Sequence, residues 1–288
     1  MMEAKLVAKI CSGQDGAVWG GFFFRFESNG ECFVYELERL LAAEGAVIEP
    51  FSTFRLDKAE ILMPHSNSVS FGNAYAEEQD EFPLLYTNIY NSYAKAEDRM
   101  EGTCCVYRLQ RCEDRFTTQL VQVIRIGFAA VTGLWRSKTV QDVRPYGNFA
   151  IDRHHGICYA FTMLDEEQRT RYFSFRLPRS SEGQWDERLS ARVVVLNEAD
   201  IVDTFDCPYH HYVQGACVHE GKIYSLEGFT DDAVNPPALR IIDPKERRQI
   251  AHIPMKDVGL VVEPEWIDFD NGRCIYADHT GNVYQISY

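Results

Sequence analysis

Residues 209–229 read YHHYVQGACVHEGKIYSLEGF. A polar group, His210, His211, Gln214 and Gly215, precedes a short apolar run at 216–218. Glu220-Gly221 then marks a tight turn, and the run 222–226 follows with Tyr224 inside it. A glycine between two β-type runs is a hairpin signal, because tight hairpin turns need positive φ. The stretch predicts a strand, a hairpin and a second strand, with polar side chains gathered where the first strand begins.

The same phrase recurs along the chain. Gln14-Asp15-Gly16 opens a run over 17–26, and Ser28-Asn29-Gly30 turns it into 32–35. His65-Ser66-Asn67-Ser68 opens 69–72, and after an acidic insertion the chain reaches 83–86. Tyr146-Gly147-Asn148 opens 149–152, which turns at His155-Gly156 into 157–159. Glu263-Pro264-Glu265 opens 266–269, which turns at Asn271-Gly272 into 273–276. With Asp15, Asn67, Asn148, Gln214 and Glu265 as equivalent points, each interval leaves room for two more strands. These are 104–109 and 119–126 after the second opening, 170–177 and 191–196 after the third, and 238–242 and 249–253 after the fourth.

Four-stranded units repeated around an axis make an all-β chain, a five-bladed β-propeller. The last unit has only 282–288 left after its second strand, while 5–10 near the N-terminus has no unit of its own. Pairing that N-terminal strand onto the last blade closes the ring and removes two unpaired edges. Residues 1–288 then form one domain. Helical character is confined to 35–44, and the charged stretches 75–81, 94–102 and 179–187 read as surface loops.

Composition agrees with this class. Hydrophobic residues make up 45% and aromatics 13%, concentrated in strand-like runs such as 21–26 and 171–175. A formal charge of -14 opposes attraction to nucleic acid or to an anionic membrane surface. The opening MMEAKLVAKIC has too short an apolar run for a spanning or secretory segment. Nine cysteines, an odd count at irregular spacings, point to reduced buried thiols and a cytoplasmic location. Cys104 and Cys105 would face opposite sides of a strand as packing residues.

In a propeller the polar openings of the inner strands gather at one mouth of the central channel. That mouth should collect Asp15, His65, Asn67, Tyr146, Asn148, Gln214, Glu263 and Glu265, with His210 and His211 just upstream in the loop feeding the fourth blade. Convergent polar groups in a concavity are the default place for a ligand, here a small polar one, a saccharide or related metabolite. Asp15 with Glu263 or Glu265 are candidates for the acid and base of glycan hydrolysis. A third possibility is a scaffold that binds a protein partner on its blade faces. Cys207, His210, His211 and His65 have no paired ligand spacing, so no metal is expected. No cofactor, phosphate-loop or nucleophile-elbow motif is present.

The carboxylate arrangement resembles the five-bladed glycosidases of the arabinanase and fructosidase type, which place three essential carboxylates at the inner ends of successive blades. This chain departs from them, with Asn67, Asn148 and Gln214 in the second, third and fourth units. The phrases Gln214-Gly215, Gly221-Lys222-Ile223-Tyr224, Glu263-Pro264-Glu265 and Gly281-Asn282-Val283-Tyr284 resemble bacterial and phage propellers of the teichoic-acid-biosynthesis-C-like and receptor-binding kinds. That resemblance covers residues 205–288 and implies a propeller linked to cell-surface polymers. PHSNSVSFG at 64–72 and FPLLYTNIYNSY at 82–93 resemble a bacterial family of similar length to which no role is attached.

Overall fold

Three of the inner hairpins turn on two residues. Trp19 pairs with Phe22, His219 with Lys222, and Asp270 with Arg273. Both residues between each pair have positive φ. This is the type I′ geometry, whose twist matches that of the strands it joins, and it explains the glycine in each turn. The computed structural model describes residues 2–89, 103–127, 148–164, 167–210 and 212–287.

These hairpins start sheets that follow one another along the chain. Blade one runs Gly16–Trp19, Phe22–Phe26, Glu31–Glu36 and Ser52–Arg55 from the inside out. Blade two runs Val69–Phe71, Leu85–Ile89, Thr103–Cys112 and Arg115–Ile126. Blade three runs Phe149–Asp152, Ile157–Leu164, Arg169–Arg176 and Ile201–Pro208. Blade four runs Val213–His219, Lys222–Glu227, Ala238–Asp243 and Arg248–Pro254. Blade five takes Pro264–Asp270, Arg273–Asp278 and Asn282–Ser287, and the N-terminal strand Glu3–Lys9 completes it. Glu3 pairs with Ser287 and Lys9 with Asn282, so the closing strand is antiparallel. The inner strand of blade one touches those of blades two and five, and the remaining inner strands touch in succession. The ring is closed.

Five apolar cores lie between successive blades, one per interface. Both faces of a blade are therefore buried, which explains near-continuous apolar strands such as Phe22–Phe26. Along that strand Phe24 and Phe26 face blade two, while Phe23 faces blade five and stacks on Trp266 with centroids 4.0 Å apart. The same alternation turns Arg25 toward blade five. Cys104 and Cys105 likewise enter the two different cores that flank blade two.

Four sequence readings need correction. The run 17–26 is two strands, with the inner hairpin at Gly20-Gly21; Ser28-Asn29-Gly30 joins the second strand to the third. Residues 191–196 do not end blade three. Ala191–Leu196 pairs in parallel with Arg115–Ile126 and covers the outer edge of blade two. The outer strand of blade three is Ile201–Pro208, antiparallel to Arg169–Arg176. Part of the loop at 179–187 is itself a strand, Gln184–Asp186, sixth in blade two. Helix is limited to Leu37–Leu41 within the stretch 35–44, and the loop at 94–102 lies outside the described residues.

Candidate functional site

An antiparallel inner hairpin starts and ends at the same rim. One mouth of the ring therefore collects the residues that open first strands together with those that close second strands. A cavity of about 290 Å³ lies there. Every blade contributes to its wall: Gln14 from blade one, His65, Asn67 and Asn88 from blade two, and Asn148 and Met163 from blade three. Blade four adds Tyr212, Val213, Gln214 and Phe229, and blade five adds Glu263.

The polar wall is tied together locally. Asn88 accepts a hydrogen bond from the Ser68 amide at 3.1 Å through Oδ1, and its Nδ2 donates to Asn67 Oδ1. Gln214 Nε2 donates to Glu263 Oε1 at 2.8 Å across the joint between blades four and five. Burial raises the Glu263 carboxyl above its ordinary range, against the lowering effects of the His279 charge and the Gln214 hydrogen bond. Burial lowers His65, which favours its neutral imidazole. Tyr212 and Phe229 set two rings at the rim with centroids 4.5 Å apart, and Tyr212 is 40% exposed.

A charged cluster lies just behind this wall. Asp15 is buried, and its Oδ2 accepts the Val69 amide at 2.7 Å. Arg25 is fully buried and its Nη2 donates to the Gly13 and Asp278 carbonyl oxygens at 2.6 and 2.8 Å. Glu265 is buried beside them, with Gln14 Nε2 at 3.5 Å from its Oε1. Burial pushes the Asp15 and Glu265 carboxyls well above the carboxylate range, although Arg25 pulls both down. Burial also lowers the Arg25 guanidinium, against the pull of Glu265 and Asp15. Desolvation dominates all three, because an ion held out of water is the costly form.

The sequence-predicted residues therefore divide. His65, Asn67, Asn148, Gln214 and Glu263 line the cavity. Asp15 and Glu265 do not; they are the first residues behind it. His210 does not face the channel either: it is buried between blades three and four, where its backbone N–H donates to Thr170 Oγ1 at 2.9 Å and its ring meets Tyr172 edge-on. Tyr146 and His211 lie outside the described residues. Gln14, Asn88, Met163, Tyr212, Val213 and Phe229 were not anticipated. Asn88, Met163 and Phe229 belong at the ends of second strands, and the return of each hairpin to its starting rim is the signal that would have found them. Among the described residues no group of three or more His, Cys, Asp or Glu is arranged to hold a metal ion. No helix among them is long and apolar enough to cross a membrane.

The structure resembles that of the Myxococcus xanthus glutaminyl cyclase, with a TM-score of 0.51 and 11% identity over 99% of this chain and 96% of that one. The likeness is one of fold. Kuenenia stuttgartiensis hydrazine synthase aligns at a TM-score of 0.41 and 11% identity, over 91% of this chain and 60% of the other. BamB from Moraxella catarrhalis aligns at 0.35 and 10% identity, over 96% and 58%. No family model matches the chain, and no curated protein matches its sequence. The resemblance of residues 205–288 to teichoic-acid-related and phage propellers thus rests on the quoted phrases alone.

Proposed function

We propose that this propeller binds a small hydroxyl- or amide-rich ligand, a saccharide or related metabolite, in the cavity at its channel mouth. The observation that carries the reading is the wall itself: Asn67, Asn88, Asn148, Gln14 and Gln214 present side-chain amides from four blades, beside the Tyr212–Phe229 ring pair. Amides both donate and accept, which suits sugar hydroxyls, and an aromatic face suits the apolar side of a pyranose ring. The cell-surface-polymer context implied for residues 205–288 is in keeping with such a ligand.

Hydrolysis is the weaker reading. A two-carboxylate mechanism needs an acid and a base facing one substrate. Glu263 is the sole carboxylate on the wall among the described residues, and Asp15 and Glu265 sit behind it. A ligand bearing a carboxamide is the rival that the wall also suits, and the fold likeness to a glutaminyl cyclase makes glutaminyl peptides worth including. Isothermal titration with neutral mono- and disaccharides and with an N-terminal glutaminyl dipeptide tests the choice. Saccharide binding that Asn148→Ala and Gln214→Ala each weaken at least about tenfold is the expected result. Binding of the dipeptide alone would transfer the site to amides, and product formation from a glycan would restore the hydrolase.

A further inference from the structure

Resting on the reading of the mouth as a ligand site, we infer that its ligand carries a protonated amine, as an amino sugar does, and that Glu263 receives it. Three features of the cavity point the same way. The wall holds one carboxylate, Glu263, and no lysine or arginine among the described residues. An anionic ligand would meet a like charge on that wall.

The cluster behind the wall brings no cation to the cavity surface either. Arg25 is the cation in the cluster; it is fully buried, does not line the cavity, and lies within electrostatic reach of Asp15 and Glu265. Its Nη2 is held by the carbonyl oxygens of Gly13 and Asp278. Among the described residues Glu263 thus reaches the cavity without a guanidinium or ammonium partner; its side chain's hydrogen-bonding neighbour is the neutral Gln214 amide, and His279 and Glu265 are the titratable groups that interact with its charge. Glu263 is only partly buried, and an incoming ammonium supplies the opposite charge that its carboxylate meets in a charge-assisted hydrogen bond.

The rim supplies the third feature. Tyr212 and Phe229 put two aromatic rings on the wall of the cavity that Glu263 also lines. An ammonium set between a carboxylate and aromatic faces gains from both, whereas a neutral hydroxyl in that position gains a plain hydrogen bond.

The test compares amines with neutral isosteres on the intact chain. Glucosamine is titrated against glucose, and benzylamine against benzyl alcohol, with the native protein and with Glu263→Gln, which keeps an acceptor for Gln214 and removes the charge. The expected result is at least about tenfold tighter binding of each amine that binds than of its neutral partner, a gap that closes to within about twofold in Glu263→Gln. Equal affinity for glucosamine and glucose in the native protein overturns the inference and leaves saccharide binding standing, and this comparison does not depend on the variant folding. Binding of benzylamine over benzyl alcohol with neither sugar bound keeps the amine and removes the saccharide. Silence from all four probes overturns both.

Discussion

Gly215 sits where the wall and the charged cluster meet, directly after the lining residue Gln214. A Cβ there would collide with the Glu265 carbonyl oxygen and come within 2.7 Å of Asp15 Oδ1. Those neighbours are backbone and a short buried side chain, neither of which can swing away. Gly215→Ala is expected to destabilise the fold by about 1–3 kcal/mol, the usual range for overpacking, read as a lower urea midpoint with an unchanged slope. Glu263 makes a prediction of a different kind. Its carboxyl is raised by burial, so lowering the pH protonates it sooner than a free glutamate. The ionised form is the one an ammonium ligand uses. Affinity for an amine should therefore be greatest above the raised pKa and fall as pH drops through it, in titrations run at constant ionic strength. His65, already favoured neutral, and His279 also face this region, and the fall should vanish in Glu263→Gln if Glu263 is its source. A profile unchanged by that substitution would assign the titration to a histidine or to Glu265. At this scale the sequence made five of the lining residues legible, since polar residues before an apolar run mark the channel end of an inner strand. Asp15 and Glu265 share that signal yet turn behind the wall, because a strand alternates its faces and the spacing does not reveal which face meets the cavity. His210 was misread for a related reason: an imidazole beside a strand opening serves equally well to fill a core against Tyr172.

Blades one and two show how the strands convert composition into stability. Phe24 packs edge-on against Phe71, Phe82 and Phe116 at centroid distances of 5.5, 5.7 and 5.6 Å. Phe24→Ala should cost about 3–5 kcal/mol, and Phe24→Leu markedly less, in equilibrium unfolding. A second element-level prediction concerns the back of blade four. Arg240 Nε donates to Glu227 Oε2 at 2.8 Å between two buried side chains, and its Nη2 to the part-buried Tyr209 carbonyl at 3.0 Å. Arg240→Met leaves the buried Glu227 with His252, whose Nε2 lies 3.0 Å from its Oε1, and removes the side-chain bond to the Tyr209 carbonyl just before Val213–His219. A loss of about 3–5 kcal/mol is expected, with weakened ligand binding through the shifted Tyr212 rim. Glu227→Gln should be milder, since an amide can still accept from Arg240. The inner hairpins were readable because turn residues and a period of two are local properties. Gly20-Gly21 carries the same turn signal and was passed over inside an unbroken aromatic run. The pairing of Ala191–Leu196 was not readable at all. It bonds in parallel to Arg115–Ile126, far back in the chain, and an apolar strand looks the same on either neighbour's edge. Ile201–Pro208 reads IVDTFDCP and alternates in burial rather than in residue type, so the nearer apolar run 191–196 looks the better outer strand from sequence.

The ring as a whole is held by the strand at its beginning. Glu3–Lys9 lies between Asn282–Ser287 on one side and Ala46–Val47 on the other, so it is interior to its sheet. Its side chains Val7 and Ala8 enter the core between blades five and one, with Phe23, Tyr35 and Trp266. The clasp therefore joins the two blades that meet where the chain's ends come together, and those blades supply Gln14 and Glu263 to the cavity. Removing residues 3–9 exposes the edge of Asn282–Ser287 and empties part of that core. Because each blade is buried on both faces by its neighbours, the loss should spread: a lowered melting temperature, faster amide exchange in blades one and five before the others, and loss of ligand binding even though no lining residue has been touched. If exchange instead quickens in blade five alone and binding survives, each blade holds its place by its own hairpins and the clasp is ornamental to the cavity. Adding a synthetic peptide of residues 1–12 to the shortened chain separates lost contacts from misfolding. Recovery of binding with rising peptide concentration is expected, since an edge strand and a half-filled core are the two features a strand supplied in trans can complete.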